Sequence, residues 1–166
     1  WNDILFRNAL TQEYNMSIAG GGDKSDYYTS VGYNDEQGNV KGVGNTRYNI
    51  TLKTNYQVNK LLKVGASVYA NERKQTTYLT DSNGFTNPVY YSRLANPYFT
   101  PYDENGNYNY DTNVQGKEDS SLNFNIFEER ANSNTKRRDR SMMAILNAEL
   151  RLTDYLKITS QFGLQE

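Results

Sequence analysis

Residues 47–58 (RYNITLKTNYQV) alternate without error, with Tyr48, Ile50, Leu52, Thr54, Tyr56 and Val58 on one side of an extended chain and Arg47, Asn49, Thr51, Lys53, Asn55 and Gln57 on the other. A period of two admits a β-strand with one oily and one wet face and rejects a helix. At about 3.3 Å per residue, the stretch from Tyr48 to Tyr56 spans about 26 Å, close to the apolar band of an outer-membrane β-barrel with an aromatic girdle at each margin. Lys53 decides which face is which. Turned to lipid at mid-depth a lysine costs about 2–4 kcal/mol, whereas turned to a water-filled lumen it costs little, so the polar face looks inward. A soluble half-buried sheet alternates too. Strand length, the paired tyrosines and repetition of the pattern favour the membrane.

The pattern does repeat. Strands are expected at residues 12–19, 26–34, 47–58, 62–72, 140–152 and 156–165. In the first, Tyr14, Met16 and Ile18 share a face; in the fourth, Leu62, Val64, Ala66, Val68 and Ala70 do. The hairpin residues Val58 to Val64 are answered by Leu152 to Ile158, a weak internal repeat. Connections run short, medium, short, very long, short, and outer-membrane barrels alternate short periplasmic turns with longer extracellular loops in this way. The expected fold is all-β, an antiparallel up-and-down meander of about six strands that forms part of a large transmembrane barrel.

Composition removes most competing classes. There is no cysteine and no histidine, so thiol chemistry, zinc–thiolate sites and the commonest general base are missing. The chain is expected not to be an enzyme and to need no cofactor. A net charge of −1 gives no general attraction to nucleic acid. Mean hydropathy of −0.88 leaves no run of the length a membrane helix needs, a test that a β-barrel escapes because its lumen side and loops are polar. Tyrosine, with 15 residues, suits interfaces where a ring keeps one wet end. The chain opens at Trp1 and reaches Glu166 inside what reads as a strand, which gives the expectation of a piece of a longer protein.

Between about residues 74 and 138 the periodicity disappears over a length far beyond ordinary connections, as in a functional loop. The segment holds all three prolines and the aromatic residues Tyr90, Tyr91, Tyr98, Phe99, Tyr102, Tyr108 and Tyr110, which argue for a folded surface structure. Tyr90, Tyr91, Tyr98, Phe99 and Tyr102 are candidate contacts for a ligand or a lid protein, since tyrosine faces stack on sugar rings or peptide. The alternative is that the rings pack the loop against itself. Asp103, Glu104, Asn105, Asn107 and Asp111 offer hard oxygens, but the glycine is misplaced for an EF-hand, and Asn105–Gly106 reads as a hairpin turn. Lys136, Arg137, Arg138 and Arg140 form a basic cluster that suits lipopolysaccharide phosphates or is simply solvated at a strand end. Glu128 and Glu129, read as strand neighbours, would face opposite ways and make a poor glycosidase pair.

The passages NMSIAGGGDKSDYYTSVGYNDEQGNVKG, RYNITLKTNYQVNKLLKVGASVYAN, RLANPYFTPYDENGNY and LNAELRLTDYLKITSQFGLQ resemble the barrel of SusC/RagA-type TonB-linked outer-membrane transporters, typical of Bacteroidetes, over residues 1–166. The resemblance implies a parent protein in the cell outer membrane, a 22-stranded barrel with an N-terminal plug that imports oligosaccharide or peptide. It implies as partners a SusD-like surface lipoprotein and, through parts beyond this segment, the TonB complex; nucleic acid is not expected. Six strands cannot close a barrel alone. The expected lipid-facing residues are Ile50, Leu52, Val64, Val68, Leu146, Leu150, Ile158 and Phe162, and the expected aromatic girdle is Tyr14, Tyr33, Tyr48 and Tyr56. The competing functional class is a soluble β-rich carbohydrate-binding module.

Overall fold

Six strands hydrogen-bond in sequence order into one antiparallel sheet: β1 (Thr11–Gly21), β2 (Ser25–Gln37), β3 (Gly44–Gln57), β4 (Leu62–Thr76), β5 (Lys136–Arg151) and β6 (Lys157–Gln165). The computed structural model describes residues 1–78, 86–110, 124–133 and 136–166. Three short helices accompany the strands: α1 (Asn2–Leu5), α2 (Pro88–Leu94) and α3 (Ile126–Asn132). Among the described residues no helix is long and apolar enough to cross a membrane.

Register assigns the faces. In the first hairpin Tyr14 pairs with Tyr33, Met16 with Val31 and Ile18 with Thr29, while Asn15 meets Gly32 and Ser17 meets Ser30 on the opposite face. In the last, Leu146 pairs with Phe162 and Leu150 with Ile158, while Asn147 meets Gln161 and Arg151 meets Lys157. A slip of one residue would exchange every apolar side chain for a polar one, so this pattern pins the pairing.

The repeated hairpin is one device used twice. Val58 N–H donates to Leu62 O at 2.9 Å and Asn59 N–H to the same oxygen at 3.4 Å; Leu152 and Thr153 donate to Leu156 O at 3.0 and 3.3 Å. Asn59 Oδ1 also accepts from Leu61 and Leu62 N–H, an Asx turn that the shorter Thr153 hydroxyl reproduces with Tyr155 N–H. Gln57 N–H reaches Lys24 O and Arg151 N–H reaches Leu61 O, so the three short turns lie side by side at one end of the sheet.

The chain divides into two compact units. One comprises Thr11–Glu36, Asn45–Lys74 and Arg138–Glu166 and holds most of the sheet; the other comprises Trp1–Leu10, Gln37–Gly44 and Gln75–Arg137. The second has an apolar core of Leu5, Tyr78, Tyr91, Ala95 and Ile126, flanked by Trp1, Phe6, Val40, Val43, Phe124 and Phe127. Its longer helices start alike. Asn87 Oδ1 caps α2 by accepting from Val89 and Tyr90 N–H, with Pro88 at the first helical turn, and Asn125 Oδ1 caps α3 by accepting from Phe127 and Glu128 N–H. Glu128 and Glu129 therefore lie in the first turn of a helix rather than on a strand, where their charge complements the helix dipole.

Candidate functional site

The two faces of the sheet differ in kind. On one, large apolar side chains stand exposed, from Ile50 and Leu52 at 43–44% to Leu146, Ile158 and Phe162 at 51–58%. Val64, Val68 and Leu150 share that parity and are half-buried by their taller neighbours. Large apolar side chains exposed together on one face mark a surface for contact with protein, ligand or membrane. Tyr14, Tyr33 and Tyr48 form a row across β1, β2 and β3, with ring centroids 6.3 and 5.2 Å apart. Tyr56 stands eight residues along β3 from Tyr48, in a groove with Val64, Ala66, Leu146 and Phe162.

The opposite face is polar and carries Lys53. Its ammonium lies 6.0 Å from the Tyr28 ring centroid and 5.5 Å from that of Tyr69, so the cation is held between two rings. Asn55 Nδ2 donates to Asp26 Oδ1 at 2.7 Å beside it. Two glycines are recessed among carboxamides: Gly32 between Asn15 and Asn49, and Gly65 between Asn55 and Asn147. A β-carbon at either position would require the ends of these asparagine side chains to move.

The aromatic unit separates its rings into packed and presented ones. Tyr91 is fully buried, 5.1 Å edge-on to Trp1 and 5.4 Å from Phe124, so it is a core residue and not a surface contact. Phe99 stacks on Trp1 at 5.9 Å and is half-buried. Trp1 Nε1 donates to Asn96 O at 2.9 Å, and Asn96 Oδ1 accepts from Tyr98 N–H, which holds the Asn96–Phe99 turn on this stack. Tyr98 projects from that turn with 92% of its surface exposed, and Tyr90 and Tyr102 are each 44% exposed. Of the five candidate contacts, then, Tyr90, Tyr98 and Tyr102 are presented.

Asp103 closes the turn that presents Tyr102. Its Oδ1 accepts from Asn105 and Asn107 N–H at 2.9 and 2.8 Å, its Oδ2 accepts from Asn107 Nδ2, and Gly106 takes a left-handed φ of 81°. Hydrogen bonds from Asn107 hold the Asp103 carboxyl below the usual aspartate range. Tyr102 lies in tilted contact with Tyr108 at 5.6 Å and Phe127 at 5.7 Å, and burial, with lesser contributions from Tyr108 and Tyr78, raises its phenol. A hydrogen bond with Glu128, followed by burial, raises Tyr110. Asp111 lies outside the described residues, and among those described no group of carboxylates is arranged to hold a metal.

Two organising residues are not among the candidates read from the sequence. Asn125, 2% exposed, donates from Nδ2 to Pro101 O and Asn109 O at 2.7 Å each, tying α3 to the Tyr102 hairpin. Arg130 lies 4.4 Å over the Tyr78 ring and donates to Lys41 O at 3.0 Å and to Gly42 O. Asparagine before two apolar residues and two glutamates was the available signal for the first; the second pairs residues 88 and 89 positions apart.

No family model matches the chain. It is 36% identical over 63 residues to the TonB-dependent receptor P39 of Formosa agariphila, a match covering 38% of this chain and 6% of that protein. Its fold matches a chain of the RagAB peptide importer in the closed-closed state, with a TM-score of 0.67 and 22% identity, over 99% of this chain and 18% of that one. The chain thus spans less than a fifth of the importer chain whose fold it shares. The sequence over 63 residues thus resembles part of a TonB-dependent receptor, and the fold resembles part of a chain of the RagAB peptide importer.

Proposed function

We propose that these residues are a segment of the barrel wall of an outer-membrane TonB-dependent nutrient importer of the SusC/RagA type. The observation that carries the reading is the sheet's division into an exposed apolar face bounded by a tyrosine row and a polar face holding Lys53 between Tyr28 and Tyr69. A lipid bilayer outside and a wet lumen inside satisfy both faces at once. Water on both sides satisfies only one.

In this reading Ile50, Leu52, Val64, Val68, Leu146, Leu150, Ile158 and Phe162 meet lipid, and Tyr14, Tyr33 and Tyr48 lie at one headgroup level with Tyr56 toward the other. Tyr90, Tyr98 and Tyr102 supply ring faces to an oligosaccharide or peptide, or to a SusD-like lipoprotein over the mouth. TonB engages the parent protein elsewhere. The segment performs no catalysis.

The test is detergent dependence. The full-length receptor that contains this segment is expected in the outer-membrane fraction, extracted only by detergent and migrating faster on gels unheated than boiled. Residues 1–166 expressed alone are expected to aggregate in plain buffer. A cooperative monomer of those residues without detergent would replace this reading with the soluble carbohydrate-binding module.

A further inference from the structure

We propose that the outward face of β3, β4 and β5 seats one phosphate-bearing lipid of the outer leaflet, its phosphate held by Arg138, Arg140 and Lys74 and an acyl chain lying in the groove beside them. The proposal rests on the barrel reading above. It starts from charges on the apolar side of the sheet.

Arg138 and Arg140 precede Met142, Ala144 and Leu146 at alternate positions of β5, so they share the exposed apolar face. Glu72 and Lys74 likewise continue the run Val64, Ala66, Val68 and Ala70 on β4. Glu72 receives all three cations: Lys74 Nζ at 3.1 Å, Arg138 Nε at 3.7 Å and Arg140 Nε at 2.8 Å. In both arginines it is Nε that approaches Glu72, and the side chains remain 55% and 65% exposed to a further anion. Glu166 borders the same region, so three cations meet two carboxylates. Asp139 does not belong to this group; it approaches Arg73 at 3.9 Å, and its odd parity puts it on the polar face.

The depth is fixed by Tyr48. Lys74 Nζ lies 5.3 Å from the Tyr48 ring centroid, so the cations stand level with the tyrosine row. That is the headgroup level of a barrel, where a phosphate is the expected neighbour and an arginine fork can hold it through two parallel hydrogen bonds. Glu72, Arg140 and Glu166 border a groove of about 390 Å³ whose apolar lining is Tyr48, Ile50, Ala70 and Met142. On its apolar side β4 contributes the small Ala70, while β3 and β5 contribute the larger Tyr48, Ile50 and Met142. A free phosphate has no use for such walls. A lipid has use for both parts.

The experiment is native mass spectrometry of the full-length receptor, released from detergent after incubation with monophosphoryl lipid A. One retained lipid is expected. Dephosphorylated lipid A, and the R138Q/R140Q receptor with the phosphorylated lipid, are each expected to show about tenfold less retention, because the charge-assisted bonds are lost. K157Q, which removes a cation from the opposite end of the sheet, should retain lipid as the native protein does. R138K/R140K keeps charge without the fork and should retain an intermediate amount, which reads the same question if the glutamine pair does not assemble. Retention indifferent to the lipid phosphate, or equal in both double variants and the native protein, overturns the seat. Displacement of the lipid by millimolar inorganic phosphate overturns it in favour of a free-anion site. A native receptor that never forms a heat-modifiable barrel defeats the barrel reading itself, an outcome distinct from an assembled barrel with unselective lipid.

Discussion

The carboxamide of Asn147 closes over Gly65: a β-carbon built on Gly65 would lie 2.6 Å from Asn147 Oδ1 and 2.5 Å from Asn55 Oδ1. Glycine is favoured here by neighbouring carboxamides that would have to move, and not by backbone conformation. Asn55 is held in place by Asp26, so Asn147 is the partner able to yield. Gly65→Ala should destabilise the assembled barrel by about 1–3 kcal/mol, as overpacking does. Adding Asn147→Ala should restore part of that loss, since residues in direct contact couple. The unfolding midpoint in detergent measures both, and strictly additive single and double variants would refute the contact.

Adjacent positions on β3 test the orientation of the sheet. Arginine at Leu52 places charge on the apolar face near mid-depth, at a cost of about 2–4 kcal/mol, whereas arginine at Thr51 enters the polar face beside Lys53. Leu52→Arg is expected to deplete the full-length protein from the outer membrane, and Thr51→Arg to leave its level near normal. Equal levels by quantitative blotting would exclude the assignment of faces.

Much of the sheet was legible because alternation is a local property that burial on one face cannot scramble. Lys53 alone orients β3, and β3 orients its neighbours through register. The amino end of β5 was hidden by its own chemistry: Lys136 to Arg140 reads as a solvated basic run, yet strand pairing extends to Lys136. The helices were hidden by length, since seven residues make too few turns for a 3.6-residue period to show. Tyr91 could not be told from Tyr90 in sequence. Its burial depends on Trp1, ninety positions away, and on Phe124.

The same difference between buried and presented rings makes Tyr91 and Tyr98 separable by experiment. Tyr91→Ala removes a fully buried ring and should destabilise this unit by about 3–5 kcal/mol, seen as faster protease cleavage within residues 86–133. Tyr98→Ala removes a ring that is almost wholly exposed and should leave cleavage unchanged while weakening growth on, or binding of, the transported nutrient several-fold. Unchanged uptake in Tyr98→Ala, Tyr90→Ala and Tyr102→Ala together would restrict these rings to a structural part.

The Tyr102–Tyr108 hairpin should open at both extremes of pH for opposite reasons. Asp103 has its carboxyl lowered in the folded turn by its bonds to Asn107, so its contribution is complete above the unfolded aspartate value of about 3.9 and is lost as pH falls through the folded value below it. Tyr102 has its phenol raised, chiefly by burial, so its contribution is complete below the unfolded value of about 10 and is lost as pH rises through the folded value above it. Between those limits the hairpin is expected to be insensitive to pH. Asp103→Asn should remove the acid limb alone, because a neutral amide has no proton to take up, while Tyr102→Phe should remove the alkaline limb alone. Tyrosine ring signals followed by NMR in the detergent-solubilised receptor report each limb, and an acid transition that survives in Asp103→Asn would place its origin in another carboxylate.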